Sequence, residues 1–405
     1  MSQAGRKRIL FVAEAVTLAH VARPLALAQS LDSTHYDVHF ACANRFDFAF
    51  ETTRFRRWEV HSISSEQFLQ LLATGSRLYD FKTLNDYVSE DLCLIPEIRP
   101  DLIVGDFRLS LGVSAAIAKV PYAALANAYW SPYAAVPHFP LPDVPASRLL
   151  GYRLSSSLFH LCQPLIFAYH ARPLNQMRKK YGLPGLGSLL HVYTHGDYTL
   201  YTDPRDLFPT TNLPPNHRVL GHVEWSPAIP LPRWWNDIGS DQPVIYVNLG
   251  SSGPAHLLPM ITATLAEFPM KVIMATAGRW HTTSLPANIK ASSYLPGSDA
   301  VRRANLVICN GGSPSVYQAL AYGVPVVGIA SNMDQLLCMQ AVERKKAGVL
   351  LRAGSVTEAS LKAVVTVMAT DKTYEKNALL LRDQFTRIDA LQRFRSFVSE
   401  VLKPI

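Results

Sequence analysis

The stretch 306–335, LVICNGGSPSVYQALAYGVPVVGIASNMDQ, holds the densest set of residues able to do chemistry. Leu306 to Cys309 is a short apolar run that suits a buried parallel strand. Gly311 and Gly312 follow at once and permit a sharp turn with close backbone approach. Ser313 is placed to cap a helix, Pro314 to take its first position and Gly323 to follow its end. Val324 to Ile329 reads as a second buried strand. The arrangement leaves a helix N-terminus at the C-terminal edge of a parallel sheet, a place that favours anions and phosphate above all. Asp334 and Gln335 come just after the next strand, on the same edge, and a carboxylate beside an amide suits the vicinal hydroxyls of a sugar. A strand–helix–strand unit without a ligand is the competing reading of the turn taken alone.

Two more strand ends carry reactive residue types. Arg8 to Val12 reads as a first strand, and the loop 13–19 leads to a helix from His20 to Leu31. Val21, Leu25 and Ala28 form its apolar stripe, with Pro24 expected in its first turn. Tyr36 to Ala43 is the next strand. Leu102 to Asp106 is a strand that ends in an acid, before a helix expected over Ser110 to Ala118. A carboxylate on one imidazole nitrogen fixes the tautomer and leaves the other nitrogen to take a proton. A structural His20 at a helix start, and an Asp106 that merely caps the next helix, are the competing readings. Farther on, Val244 to Leu249 reads as a buried strand before the glycine turn Gly250-Ser251-Ser252-Gly253. A helix over Leu258 to Glu267, a strand over Lys271 to Ala275 and a turn at Gly278-Arg279-Trp280 follow.

The ordered series Asn310-Gly311-Gly312-Ser313-Pro314-Ser315-Val316-Tyr317-Gln318-Ala319-Leu320, Gly323-Val324-Pro325 and Asp334-Gln335 resembles the donor-binding signature of nucleotide-sugar glycosyltransferases of the GT-B architecture, family 1. These are the UDP-glycosyltransferases and the bacterial macrolide glycosyltransferases. The family's histidine is Asn310 here, its third glycine is Pro314, and its ribose-binding glutamate is Gln318. The family's Gly-x-Gly-His context after the first strand is Leu18-Ala19-His20. The resemblance implies an α/β fold with two Rossmann-like domains facing across a cleft and a C-terminal helix crossing back to the first. The corresponding division is an acceptor domain over 1–221, a linker over 222–243, a nucleotide-sugar domain over 244–375 and the returning helix over 376–405. It implies inverting transfer of a sugar from a UDP or dTDP donor to a hydroxyl of a small apolar acceptor, a natural product or a lipid. His20 would be the general base, oriented by Asp106. Gly250, Ser251, Ser252, Asn310, Gly311, Gly312, Ser313 and Ser315 would lie at the diphosphate. Gln318 would meet the ribose, Tyr294 and Leu295 the base, and Asp334 and Gln335 the sugar. The nucleotide sugar is a co-substrate, and neither a cofactor nor a metal is implied.

The whole chain frames these expectations. It has 405 residues, 48% hydrophobic and 17% charged, with a formal charge of +8. Two or three domains fit that length. The positive charge occurs only in short clusters (Arg6-Lys7-Arg8, Arg54 with Arg56-Arg57, Arg178-Lys179-Lys180), with no long basic tract and no zinc-finger spacing, so a nucleic-acid partner is not expected. Five scattered cysteines read as free thiols of a cytoplasmic protein. Glu14 and His20 break the apolar start, which is read as a strand and not a secretion signal. No apolar segment reaches the ~18 residues of a membrane span. Aromatic residues at Phe68, Tyr79, Tyr87, Tyr129 and Trp130, and the run from Leu158 to Tyr169 with a break at Pro164, suggest an apolar acceptor pocket. The Leu158 to Tyr169 run beside Arg178-Lys179-Lys180 also suits weak peripheral contact with the inner face of a membrane. From Thr373, Leu381, Phe385, Ile388, Leu391, Phe394 and Val398 mark an amphipathic helix. Monomer and homodimer both stay open. So do three rivals: a nucleotide-sugar epimerase of the same architecture, a non-catalytic sugar-nucleotide binder, and an NAD-dependent oxidoreductase, which lacks its GxGxxG after the first strand.

Overall fold

The computed structural model describes residues 6–136, 138–145, 151–239 and 242–403. Two compact units emerge. The first comprises Met1–Pro137, Ser157–Trp225 and Ile388–Ile405, and the second His138–Ser156 and Ser226–Arg387.

The first unit is built on seven strands: β1 (Lys7–Ala13), β2 (Tyr36–Ala41), β3 (Arg56–Trp58), β4 (Leu102–Asp106), β5 (Tyr122–Ala126), β6 (Tyr198–Tyr201) and β7 (His217–Val219). They pair in parallel in the order β3-β2-β1-β4-β5-β6-β7. Every residue of β4 and β5 is buried, as a sheet covered on both faces requires. Side chains alternate between two cores. Ile9, Phe11 and Ala13 pack with Val21 and Leu25 of the helix Leu18–Gln29, while Leu10 and Val12 pack with Leu94, Ile95 and Ile98 of the helix Phe81–Ile98. The strand order reverses between β1 and β4, and this switch point is where a doubly wound sheet opens a crevice beyond its C-terminal ends.

The second unit repeats the plan with β8 (Val244–Asn248), β9 (Lys271–Ala275), β10 (Ile289–Ser292), β11 (Leu306–Cys309), β12 (Val326–Ala330) and β13 (Gly348–Arg352). The order is β10-β9-β8-β11-β12-β13, parallel throughout, with its switch point between β8 and β11. Both units are therefore Rossmann-like, as expected.

Several local expectations change. Pro24 is not in a first turn: the helix begins at Leu18, which puts the proline in its interior. Without an N–H it cannot close the bond to the His20 carbonyl one turn back. Pro164 does not break its segment, because a helix runs unbroken from Tyr152 to Lys180 with Pro164 and Pro173 inside it. At the first turn of the helix Ser313–Ala321 the cap is Gly312, and Pro314 is the second residue. The C-terminal segment forms two helices, Lys372–Phe385 in the second unit and Ala390–Val401 in the first. Asp389 caps the latter, accepting from Gln392 N. This last helix seats Phe394 and Phe397 in the first unit's core, and Arg218 grips Glu400 through two 2.6 Å hydrogen bonds. So the return to the first domain holds, although it begins at Ile388 and not near 376. The sequence also gave no sign that residues 138–145 belong to the second unit. There Asp143 accepts from Arg352 Nη1 at 2.8 Å and from Gly354 N, and donates its own N–H to Ser331 O.

One partly buried group in the first unit titrates within reach of experiment. His195 Nε2 lies 3.0 Å from Arg178 Nη1, which can only donate, so the imidazole is neutral and carries its proton on Nδ1. Burial, with Arg178 adding to it, lowers its value from 6.5 to about 4. The unfolded chain thus takes up a proton as pH falls below 6.5, while the folded chain resists until about 4. Stability from this group is present above the unfolded value and is lost on acidification, by up to about 3 kcal/mol. Urea unfolding across that range should show His195→Gln losing less stability than the parent; equal losses would remove His195 from the acid response.

Candidate active site

At the first unit's switch point, β1 ends at Ala13 and its loop leads to His20 in the helix Leu18–Gln29, while β4 ends at Asp106. The Glu14 N–H donates to the Asp106 carbonyl at 3.0 Å, which ties the two strand ends together. His20 Nδ1 meets Asp106 Oδ1 at 2.7 Å. An ionised carboxylate only accepts, so the ring proton belongs on Nδ1. Nε2 then presents a lone pair, and it has no partner among the described residues. The ring keeps 19% of its surface exposed, whereas the Asp106 side chain is fully buried. The Phe107 ring stacks on the imidazole at 4.8 Å and 13°. Phe107 has φ +60, a left-handed conformation that a bulky side chain adopts at a cost. That strain aims the ring at His20. Phe68, Tyr79 and Tyr193 pack around Phe107 with centroids 5.4–6.2 Å away, giving the imidazole an aromatic surround.

Sequence reasoning missed the residue that holds this pair. Arg23 donates from Nε to Asp106 Oδ2 at 3.0 Å and from Nη2 to Oδ1 at 2.9 Å. Its Nη1 reaches Asn127 Oδ1 at 2.8 Å and Thr202 Oγ1 at 3.0 Å, just beyond the ends of β5 and β6. Burial works against the Arg23 charge, but contact with Asp106 outweighs it and holds its proton more tightly than usual. A second buried network lies alongside. Arg108 bonds Asp91 Oδ1 at 3.0 Å and Glu90 Oε2 at 2.8 Å, with Glu14 Oε2 at 3.4 Å. Burial pushes the Glu14 carboxyl above its usual range, with Arg108 opposing.

At the second unit's switch point the expected residues meet, with a division of labour that the sequence did not reveal. Gly250 N–H bonds Asn248 Oδ1 at 2.9 Å, and Gly312 N–H bonds Asn310 Oδ1 at 3.0 Å. Each strand end is thus closed by a side-chain amide mimicking a turn. Asn310 Nδ2 donates to Ser252 Oγ at 3.1 Å, so Asn310 braces the two loops. The Gly311 N–H is also committed, to Cys309 Sγ at 3.3 Å. Gly311 has φ +76, and an added Cβ would lie 2.7 Å from Met339, so only glycine fits there. What can meet an anion is the first turn of the helix Ser313–Ala321, with Ser313 and Ser315, which no side chain caps. The Ser252 hydroxyl, already accepting from Asn310, can also donate there. Arg279 stands on the turn after β9. Its Nη1 donates to Ser251 O at 3.1 Å and Gly253 O at 2.6 Å, while Nε and Nη2 have no partner among the described residues. It brings a cation to the loop where Asn310 has none.

The remaining residues lie along the same sheet edge. Gln318 is 8% exposed; its Nε2 lies 3.4 Å from Ser298 Oγ, and its Oε1 lies 2.6 Å from where a Cβ on Gly297 would stand. Tyr294 and Leu295 follow β10; Tyr294 is partly buried and Leu295 is 3% exposed. Asp334 lies in the first turn of the helix Met333–Arg344. Gln335 is 2% exposed, and its Oε1 accepts from Ser331 N at 2.9 Å within the capping box with Asn332. Its Oε1 thus fixes that helix start.

Residues 260–387 match the family described as Erythromycin biosynthesis protein CIII-like, C-terminal domain. The chain is 49% identical over 383 residues to a PGL/p-HBAD biosynthesis glycosyltransferase of Mycobacterium tuberculosis, covering 94% of this chain and 89% of that protein. It is 50% identical over 385 residues to a PGL/p-HBAD biosynthesis rhamnosyltransferase of Mycobacterium bovis, covering 95% and 85%. Its fold matches that of the spinosyn rhamnosyltransferase SpnG complexed with thymidine diphosphate, at 16% identity and a TM-score of 0.68, over 97% of this chain and all of that one. The chain is thus a GT-B glycosyltransferase and belongs to the family of the mycobacterial PGL/p-HBAD biosynthesis glycosyltransferases.

Proposed function

We propose that the chain transfers a deoxyhexose, rhamnose, from its dTDP donor to the hydroxyl of an aromatic or lipidic acceptor, with inversion at the anomeric carbon. The observation that carries the reading is the His20–Asp106 pair at the first switch point: a histidine with an outward lone pair, fixed by a buried carboxylate. His20 Nε2 takes the acceptor's hydroxyl proton as its oxygen attacks the anomeric carbon, and the bond from that carbon to the diphosphate oxygen breaks. The leaving dTDP carries the charge, met by the first turn of Ser313–Ala321, the Ser252 hydroxyl and the Arg279 guanidinium. Support for rhamnose comes from the rhamnosyltransferase relative at 50% identity. Support for thymidine comes from Gln318, since one amide satisfies a deoxyribose with a single free ring hydroxyl where a diol favours a carboxylate. The aromatic shell about Phe107 favours an apolar acceptor.

Calorimetry with dTDP, UDP and NAD tests the donor assignment: dTDP should bind more tightly than UDP, and NAD not at all. Preferential binding of NAD would overturn it. His20→Ala should lower kcat by roughly 10²–10⁴-fold with dTDP affinity unchanged. Transfer at near-parental rate would take His20 out of the mechanism. Arg279→Gln keeps hydrogen-bond donors for the Ser251 and Gly253 carbonyls but removes the charge. It should weaken dTDP about 10–100-fold while leaving thymidine unaffected; equal affinities for dTDP would exclude Arg279 from the diphosphate site.

A further inference from the structure

The helix Tyr152–Lys180 buries one face and leaves a second apolar face uncovered. Phe159, Phe167, Ala171 and Leu174 are at most 6% exposed, and Ala171 and Leu174 pack into a core of the first unit. On the opposite side Leu158 is 50% exposed, Leu161 80%, Leu165 74% and Tyr169 51%. Their steps of three and four residues place them in one stripe, ~17 Å long. Six of the eleven large hydrophobic residues exposed among the described residues lie on this one helix, so the exposure is concentrated and not scattered.

Charge accompanies the stripe. The 29 residues of the helix include no aspartate or glutamate. Beyond Tyr169 the exposed face continues with Arg172 and Lys179, and Lys180 is also exposed. The Arg77 guanidinium stacks 3.7 Å from the Tyr169 ring. Near the helix end, Lys180 Nζ sits 5.9 Å from the Phe81 ring, itself 39% exposed. The surface is therefore apolar along its first part and cationic along its second. No helix among the described residues is long and apolar enough to cross a membrane.

We propose that the exposed face of this helix docks the first unit onto an anionic lipid bilayer, with Leu158, Leu161, Leu165 and Tyr169 in the headgroup–acyl boundary and Arg172, Lys179 and Lys180 at the lipid charges. This rests on the helix alone and not on the donor assignment. Docking there would put the enzyme at the surface where lipidic acceptors reside.

The test is co-sedimentation of the full chain with vesicles of phosphatidylcholine and phosphatidylglycerol at about 7:3. The parent should partition onto them, bind pure phosphatidylcholine at least fivefold less, and be released as salt rises from ~0.05 to ~0.5 M. Leu161→Gln with Leu165→Gln should lower partitioning tenfold or more while leaving thermal unfolding and dTDP affinity unchanged. Arg172→Glu with Lys179→Glu, which keeps every leucine, should lose the preference for anionic vesicles. Absence of parental binding, or variants that partition like the parent, would overturn the proposal. So would a parental dimer in sedimentation velocity that the leucine variant dissociates, which would assign the stripe to a second copy of the chain.

Discussion

The Asp106 carboxylate is the constraint on which the first unit's site depends. It is fully removed from water at the end of β4, and an isolated buried charge of that kind is not tolerated. Arg23 compensates with two parallel hydrogen bonds, the geometry in which a guanidinium serves a carboxylate best. Because the same guanidinium also holds Asn127 and Thr202, the ends of β4, β5 and β6 are locked to the helix that carries His20. The remaining lone pair of Oδ1 then has one direction left, toward His20 Nδ1. Losing either member of such a buried pair typically costs about 3–5 kcal/mol, so the site is also a keystone of stability.

The two units solve related problems with the same backbone and different side chains. Each sheet reverses its strand order at one place, and the candidate residues gather there. In the first unit the switch point holds the His20–Asp106 pair; in the second it holds glycine turns and a helix N-terminus. The second unit economises on charge. Asparagine side chains close both turns, and around them stand a helix N-terminus, the Ser252 hydroxyl and Arg279. Asn310 accordingly acts as a brace between loops, and Arg279 sits on the turn after β9, two strands away from β11.

Much of this was legible in the sequence. Short apolar runs marked β4, β8 and β11 nearly to the residue and β12 to within two, since parallel strands are buried on both faces and say so in their composition. Asp106 stood out because it ends such a run, and His20 because its place after the first strand matches the resemblance. Arg23 was not, because within VARPLALA it reads as a polar interruption of an apolar helix, and nothing local shows that its partner lies 83 residues away. Arg279 was hidden in the same way by its turn. Pro164 misled because a proline on a long helix with a well-packed opposite face is tolerated at the cost of one backbone bond. The pairing of Asp143 with Arg352 spans 209 residues and has no local signal at all.

The tautomer of His20 tests the central claim most directly. Nitrogen NMR of histidine-labelled protein, with His20 assigned by comparison with His20→Ala, reports which ring nitrogen bears the proton. A neutral ring protonated at Nδ1, with an unprotonated Nε2, is what Asp106 and Arg23 dictate. A neutral ring protonated at Nε2 would mean that Asp106 does not orient the histidine, and the site would have no base pointing outward.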